Sequence, residues 1–425
     1  MSKWEELTLT EAGITLIDCD HKTPPPANKG LPYVAIPQMK DGYINFSDAR
    51  LISAEDFEIW TRKANPQVHD VVLSRRCNPG ESAYVAEDMK FALGQNLVLL
   101  RSDGKLVKKP FLRWLIKSPA WWSEVIRNIN VGAVFNSLKC GEIVNFKLPI
   151  PPIEEQERIT KTLSSLDRKI ENLRRQNETL ERIAQTLFKH WFVDFEFPNA
   201  DGKPYKSSGG AMETSELGEI PVGWRVGKLD DFCDIKHGYA FKGEFITPKE
   251  TDQILLTPGN FRIGGGFNPS KYKYYSDDGY DKEYVLETGN LVITMTDLSK
   301  EGDTLGYPAL IPRNRNKFFL HNQRLGKIID SQIDLFFLFF LLCRREYRSH
   351  ILGSASGSTV RHTSPSRILE YKFTIPDREL LEKFSSVTRN LIGKTFANQE
   401  QIETLTDIRD VLLPKLMSGQ IRIGK

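Results

Sequence analysis

A chain of 425 residues with 40% hydrophobic and 27% charged residues has the make-up of a globular protein with room for two or three domains. Its 58 basic residues are nearly balanced by 55 acidic ones, so the net charge of +3 does not by itself select a nucleic-acid partner. Five scattered cysteines without a CxxC pair exclude a disulfide framework and a cysteine zinc site.

The N-terminal MSKWEELTLT carries no apolar signal region, and a cytoplasmic protein is expected. A first domain is expected over 1–152. Leu31–Ile36 reads as a strand leading to a turn at Lys40–Gly42, and Val71–Ser74 as a buried strand entering the polar loop Arg75–Gly80. A helical segment near 111–128 follows. A last strand from Glu142 to Leu148 then runs into Ile150-Pro151-Pro152.

From 153 to 198 the sequence predicts one long helix. Ile159, Leu163, Leu166, Ile170, Leu173, Asn177, Leu180, Ala184, Leu187 and Trp191 alternate steps of four and three, which is a heptad seam with a polar residue at one a position. A helix of nearly forty residues is about 57 Å long. The stretch 199–216, rich in Gly, Ser and Lys at its start, reads as a linker.

A second domain is expected over 217–376. Ile254–Thr257, Leu291–Thr294 and a last strand from Leu369 to Thr374 read as strands, and 335–352 as helical. The greasiest run, Leu335–Cys343, is far short of the ~20 residues a membrane span needs and reads as a buried helix. A second long helix is expected over 377–425. Leu391, Ile402, Leu405 and Leu412 hold its heptad pattern, while Thr388, Thr395, Asn398 and Arg409 interrupt it. A homodimer of either helix would stack its own polar layers, and pairing the two unlike helices of one chain is the alternative.

The two halves repeat. At an offset of 225 residues Phe111 falls on Phe336, Gly132 on Gly357, Pro151 on Pro376, Ile183 on Ile408 and Leu187 on Leu412. So long a period is not a solenoid but two copies of a domain, each ending in a long helix. Strands and helices are mixed in each copy, so the fold class is α+β (mixed α/β).

Leu148-Pro-Ile-Pro-Pro-Ile-Glu-Glu-Gln-Glu-Arg-Ile159, Leu187–Glu196, Ser215–Trp224 and Leu412–Gly419 together resemble the specificity subunit of type I restriction-modification systems, and the resemblance covers essentially the whole chain. It implies two target-recognition domains, each reading half of a split site in double-stranded DNA, on two antiparallel coiled-coil helices that set the gap. It also implies that two methyltransferase subunits dock on the helices and that restriction and translocase subunits join them. The chain itself would be non-catalytic and hold no cofactor or metal, with S-adenosylmethionine, ATP and magnesium in the partners. The residues agree: there is no Asn/Asp-Pro-Pro-aromatic motif, no phosphate-binding loop and no HExxH. A nuclease forced from Asp70, Asp88 and Lys90 rests on common residue types. Two other readings remain: the recognition subunit of a fused restriction-methylation system, and a two-headed scaffold that pairs proteins rather than DNA half-sites.

Polar loops at strand ends are where a scaffolded site lies. The expected DNA contacts are Gln38, Lys40, Arg75 and Arg76 in the first domain. In the second they are Asn260, Arg262, Lys271, Lys273, Arg313, Arg315 and Arg324. Gln, Asn and Arg can make bidentate contacts to base edges, while Lys grips phosphate. Gln95-Asn96 and Asn322-Gln323 recur at matching places, which favours a structural role.

Overall fold

The computed structural model describes residues 4–423 apart from Ala133, Lys271, Arg315 and Ser358. The expected contacts Lys271 and Arg315 therefore lie outside the described residues. The chain forms two compact units, one of 1–170 with 404–425 and the other of 171–403. The boundaries fall within both long helices rather than at residue 152 or 377. Among the described residues no helix is long and apolar enough to cross a membrane.

In the first unit the strands Ile14–Asp18, Leu97–Ser102, Val71–Ser74 and Ser82–Tyr84 lie in that order in one antiparallel sheet. Val71–Ser74 is buried along its whole length, as the apolar run Val71–Leu73 predicts. A second sheet pairs Leu31–Val34 antiparallel with Arg50–Ile52 and parallel with Ala92–Leu93. Glu5–Thr8 pairs with Lys147–Ile150.

The second unit repeats this plan. Asp234–His237, Leu325–Ile329, Leu291–Thr294 and Pro308–Leu310 form the four-stranded sheet in the corresponding order. Gln253–Leu255 again runs parallel to one neighbour, Phe318–Leu320, in a five-stranded sheet. Arg225–Lys228 pairs with Lys372–Ile375 as Glu5–Thr8 does with its partner. Both units are mixed α+β, as the sequence predicts.

Three details depart from the sequence reading. The expected helices near 111–128 and 335–352 are each broken in two: Leu112–Leu115 then Pro119–Asn128, and Leu335–Leu342 then Arg345–Ser354. In the first, Ser118 caps a new helix by accepting from the Trp121 N–H, with proline at the first helical position. The expected strands beginning at Glu142 and Leu369 begin only at Lys147 and Lys372; Glu142 and Leu369 lie in short helices. The stretch 199–216 is folded rather than a loose tether. The Tyr205 ring stacks on Phe197 at 4.5 Å, its hydroxyl donates to the Ala211 carbonyl, and Met212–Ser215 pairs with Gly218–Pro221.

The long helices run Ile153–Phe192 and Arg378–Met417. Within each unit their segments pair antiparallel, and every polar interruption of the heptads meets a partner. In the first unit Asp167, almost fully buried, takes an ion pair from Arg113 and another from Arg409 at 3.0 Å. In the second, Asn398 faces Asn177, and the buried Thr388 hydroxyl donates to the Phe384 carbonyl of its own helix.

The seam drifts from a strict heptad. In the first unit Leu163 and Ile170 are buried while Leu166, Leu405 and Leu412 are half-buried. In the second, Leu173 and Ile402 are buried while Leu180, Leu187 and Leu391 are half-buried. Phe188 is buried in place of Leu187, its ring packed against Phe337 and Phe340. A helix that must fit a globular domain as well as a partner helix needs a wider apolar stripe than two positions in seven. Trp191, Phe192, Phe195 and Phe197 join this core rather than forming an exposed patch.

Candidate nucleic-acid interface

In the first unit the buried strand Val71–Ser74 delivers the chain into a loop tied down almost wholly by main-chain hydrogen bonds. The Ser74 N–H donates to the Glu81 carbonyl (2.8 Å) and the Gly80 N–H to Ser74 (3.0 Å), closing the loop on itself. The Arg75 N–H donates to Asn96 (3.1 Å), while the Arg75 carbonyl accepts from Leu138 (2.8 Å). A small hairpin lies alongside: Asn130 and Ser137 exchange both hydrogen bonds, and the Cys77 N–H donates to Asn136. Strand exit, the 94–96 turn and the 130–137 hairpin are thus one braced assembly.

The second unit carries the same frame. The Thr294 N–H donates to the Tyr307 carbonyl (3.1 Å) and the Gly306 N–H to Thr294 (2.9 Å). The Met295 N–H donates to Arg324 and the Met295 carbonyl accepts from Thr363. Ser356 and His362 exchange the hairpin bonds, and Thr296 and Asp297 pair with His362 and Arg361. The side chains on this frame differ. Met295 and Thr296 follow the second strand where Arg75 and Arg76 follow the first.

Among the expected contacts, Arg75, Arg76 and Arg324 are brought to this assembly. The Arg75 guanidinium lies 3.2 Å from the His21 ring, whose two nitrogens face the Gln95 carbonyl and the Asp18 carboxylate. Arg76 lies over the Phe135 ring at 5.7 Å. Arg324 has an exposed side chain on a turn whose Asn322 Oδ1 accepts the Arg324 N–H. That gives Asn322 the turn-capping role its repeated position suggested. Lys40 is exposed on the hairpin of Met39–Lys40 and Tyr43–Ile44, and Lys273 on the strand Lys273–Tyr275.

Four expectations are corrected. Gln38 is almost buried and its amide is consumed: Oε1 accepts from the Ala35 N–H and Nε2 donates to the Asp48 carbonyl. Asn260 is wholly buried and does the same in the second unit, accepting from the Thr257 N–H and donating to the Ser270 carbonyl. An amide so spent cannot read a base edge. These two are one repeated staple. Arg262 and Arg313 turn toward the long helices, pairing with Glu181 at 2.9 Å and Glu400 at 3.8 Å, so they brace the domain against its helices.

Sequence reasoning missed both hairpins, although the match of Gly132 with Gly357 marked them. A side chain at either glycine would collide with a carbonyl across the turn, that of Phe135 or of Val360. It also missed the open cleft of about 520 Å³ beside the first strand exit, lined by Arg50, Cys77, Gln95 and Asn96. Asp18, Cys19 and His21 bring ligand-type atoms within 4.8 Å of one another. Both ring nitrogens of His21 already face protein partners and the Arg75 cation adjoins them, so the group suits orientation of Arg75 better than a metal ion.

A family model described as the type I restriction modification DNA specificity domain matches residues 1–182 and again 221–404, one match for each copy of the repeat. The chain belongs to this family. It is 30% identical over 336 residues to the type I restriction enzyme MjaIX specificity subunit of Methanocaldococcus jannaschii, covering 76% of this chain and 71% of that one. It is 25% identical over 397 residues to the HindI specificity subunit of Haemophilus influenzae, covering 82% and 86%. The crystal structure of a type I system S subunit from M. genitalium shares the fold, with a TM-score of 0.55 at 15% identity over 97% of this chain and 96% of that one. The protein is thus a non-catalytic specificity subunit, the component that recognises DNA sequence in such a system.

Proposed function

We propose that each domain reads one half of a bipartite target in double-stranded DNA through its strand-exit assembly. Arg75 would read the first half-site and Arg324 the second, with Arg76, Lys40 and Lys273 on phosphate. The observation that carries this reading is the shared main-chain frame with unlike side chains: a fixed support presenting different readers is what two different half-sites require. The long helices act as the spacer, which their unbroken 40-residue lengths support.

Their outer faces would dock the methyltransferase subunits. Ile183 and Ile408 occupy matching places in the repeat, and each is exposed, at 48% and 42%. Two equivalent apolar sites suit two copies of one partner. S-adenosylmethionine, ATP and magnesium belong to the methyltransferase and to restriction subunits joined through it, and the assembled enzyme works in the cytoplasm.

Co-expression with the methyltransferase partner, followed by genome-wide mapping of methylated adenines, tests this. A split motif with one interrupted gap is expected; a continuous motif overturns the reading. A protein-pairing scaffold would lack the steep loss of DNA affinity with salt that phosphate contacts impose.

A further inference from the structure

The first domain's hairpin has a tip unlike its counterpart. Val131 is 83% exposed and Val134 89%, the two most exposed large apolar side chains among the described residues. Single exposed apolar residues are ordinary. Two of them on one hairpin, whose base is braced beside a cation, are not. Its base is fixed to the Arg75–Cys77 loop by the bonds from Cys77 to Asn136 and from Leu138 to Arg75. Arg76 covers one face of Phe135, itself 43% exposed. In the second domain the places of Val134, Phe135 and Asn136 are taken by Thr359, Val360 and Arg361, and the Arg361 guanidinium donates to the Lys300 carbonyl.

We propose that the 130–137 hairpin enters a groove of the DNA at the first half-site, where Val131 and Val134 make apolar contact with the bases while Arg76 grips the neighbouring backbone. This deepens the DNA-reading function proposed above and rests on it. The positive charge beside the tip favours a polyanion over an apolar protein surface. Base edges and base steps offer the apolar partners, above all the thymine methyl in the major groove or an opened step in the minor groove. The second half-site, met by a polar tip, would lack this contact.

The test uses the complex with its methyltransferase and DNA carrying the mapped target. The double variant Val131→Thr, Val134→Thr keeps the β-branched shape of both residues and so keeps the hairpin. Binding to the cognate site should weaken about tenfold, the loss expected for two buried methyl groups. Discrimination should relax in the first half-site alone, and the salt dependence should not change. By contrast, Arg76→Ala should lower the salt slope by about one. Unchanged affinity, equal relaxation in both half-sites, or loss of methyltransferase from the purified complex would overturn the proposal; the last would make the tip a protein-docking element. If the wild-type complex shows a split motif and a steep salt slope while the variant binds normally, only the hairpin contact fails. If the wild-type complex shows neither, the DNA-reading function itself fails.

Discussion

Asn398 donates from its side-chain amide to the Oδ1 of Asn177 at 2.9 Å, joining the two long helices within the second unit through the only asparagine of each heptad seam. Each amide is a poor core residue alone, and together they satisfy one another; Asn177 also donates to the Thr395 carbonyl. A shift of either helix by one turn would set an amide against leucine or isoleucine, so the pair fixes register. Asn177→Leu or Asn398→Leu alone should destabilise the second unit by about 1–3 kcal/mol, because the remaining amide loses its partner. The double leucine variant should recover most of that loss. Thermal unfolding of all four proteins gives the coupling, and additive losses would show that the amides act separately.

Asp167 accepts from two arginines, Arg113 and Arg409, in a site from which water is nearly excluded. The same cluster pushes the Tyr43 hydroxyl up to about 12, mainly by burial and then by the Asp167 charge. Burial, aided by Arg113, also pushes Lys117 down to about 8. Asp167→Ala would leave two cations facing each other and should cost about 3–5 kcal/mol. Chemical denaturation measures it. A loss below 1 kcal/mol would mean that solvent screens the triad.

Gln38→Ala and Asn260→Ala should each lower stability by about 1 kcal/mol, since each deletion removes the partner of a half-buried N–H and of a carbonyl. The methylated motif should not change. A changed motif with unchanged melting temperature would restore these residues as readers.

Arg75→Ala with Arg76→Ala should relax selectivity in one half-site and leave the other intact. Methylation mapping on a randomised target library measures both halves at once. Equal relaxation of the two, or none, would count against the placement of these arginines.

His321 is fully buried, with Nε2 on the Leu325 carbonyl, and burial pushes its pKa down to about 4. The unfolded chain holds this proton up to about pH 6.5. Between those values the unfolded state binds more protons, so stability is complete above pH 6.5 and falls as pH drops toward 4. The slope from this one site approaches 1.4 kcal/mol per pH unit. His321→Gln keeps a donor for Leu325 and should flatten the slope over that window. An equal acid sensitivity in the variant would assign the effect to other groups.

The repeat, the long helices and the buried strands were legible because burial imposes a period on sequence. Val71–Leu73 announces a strand by its apolar run, and Leu163, Ile170 and Leu173 announce a helix by their spacing. Function-bearing detail left weaker traces. Gln38 and Asn260 had the right chemistry for reading bases, and only the fold shows that nearby backbone had already claimed their amides. Arg262 and Arg313 looked free because Glu181 and Glu400 are distant in sequence. Nothing in the sequence marks Asp167 as buried, since Arg409, which pairs with it from the other long helix, lies far along the chain. Beyond the matched Gly132 and Gly357 the hairpins leave little trace in the sequence, because main-chain hydrogen bonds fold them and main chain is the same in every sequence.

That independence has a practical reach. A frame whose bonds run through N–H and C=O groups tolerates new side chains at 75, 76, 131 and 134–136 as long as Gly132 stays. Randomising those few positions in one domain would yield a library of altered preferences on an unaltered support, with the other domain as an internal control.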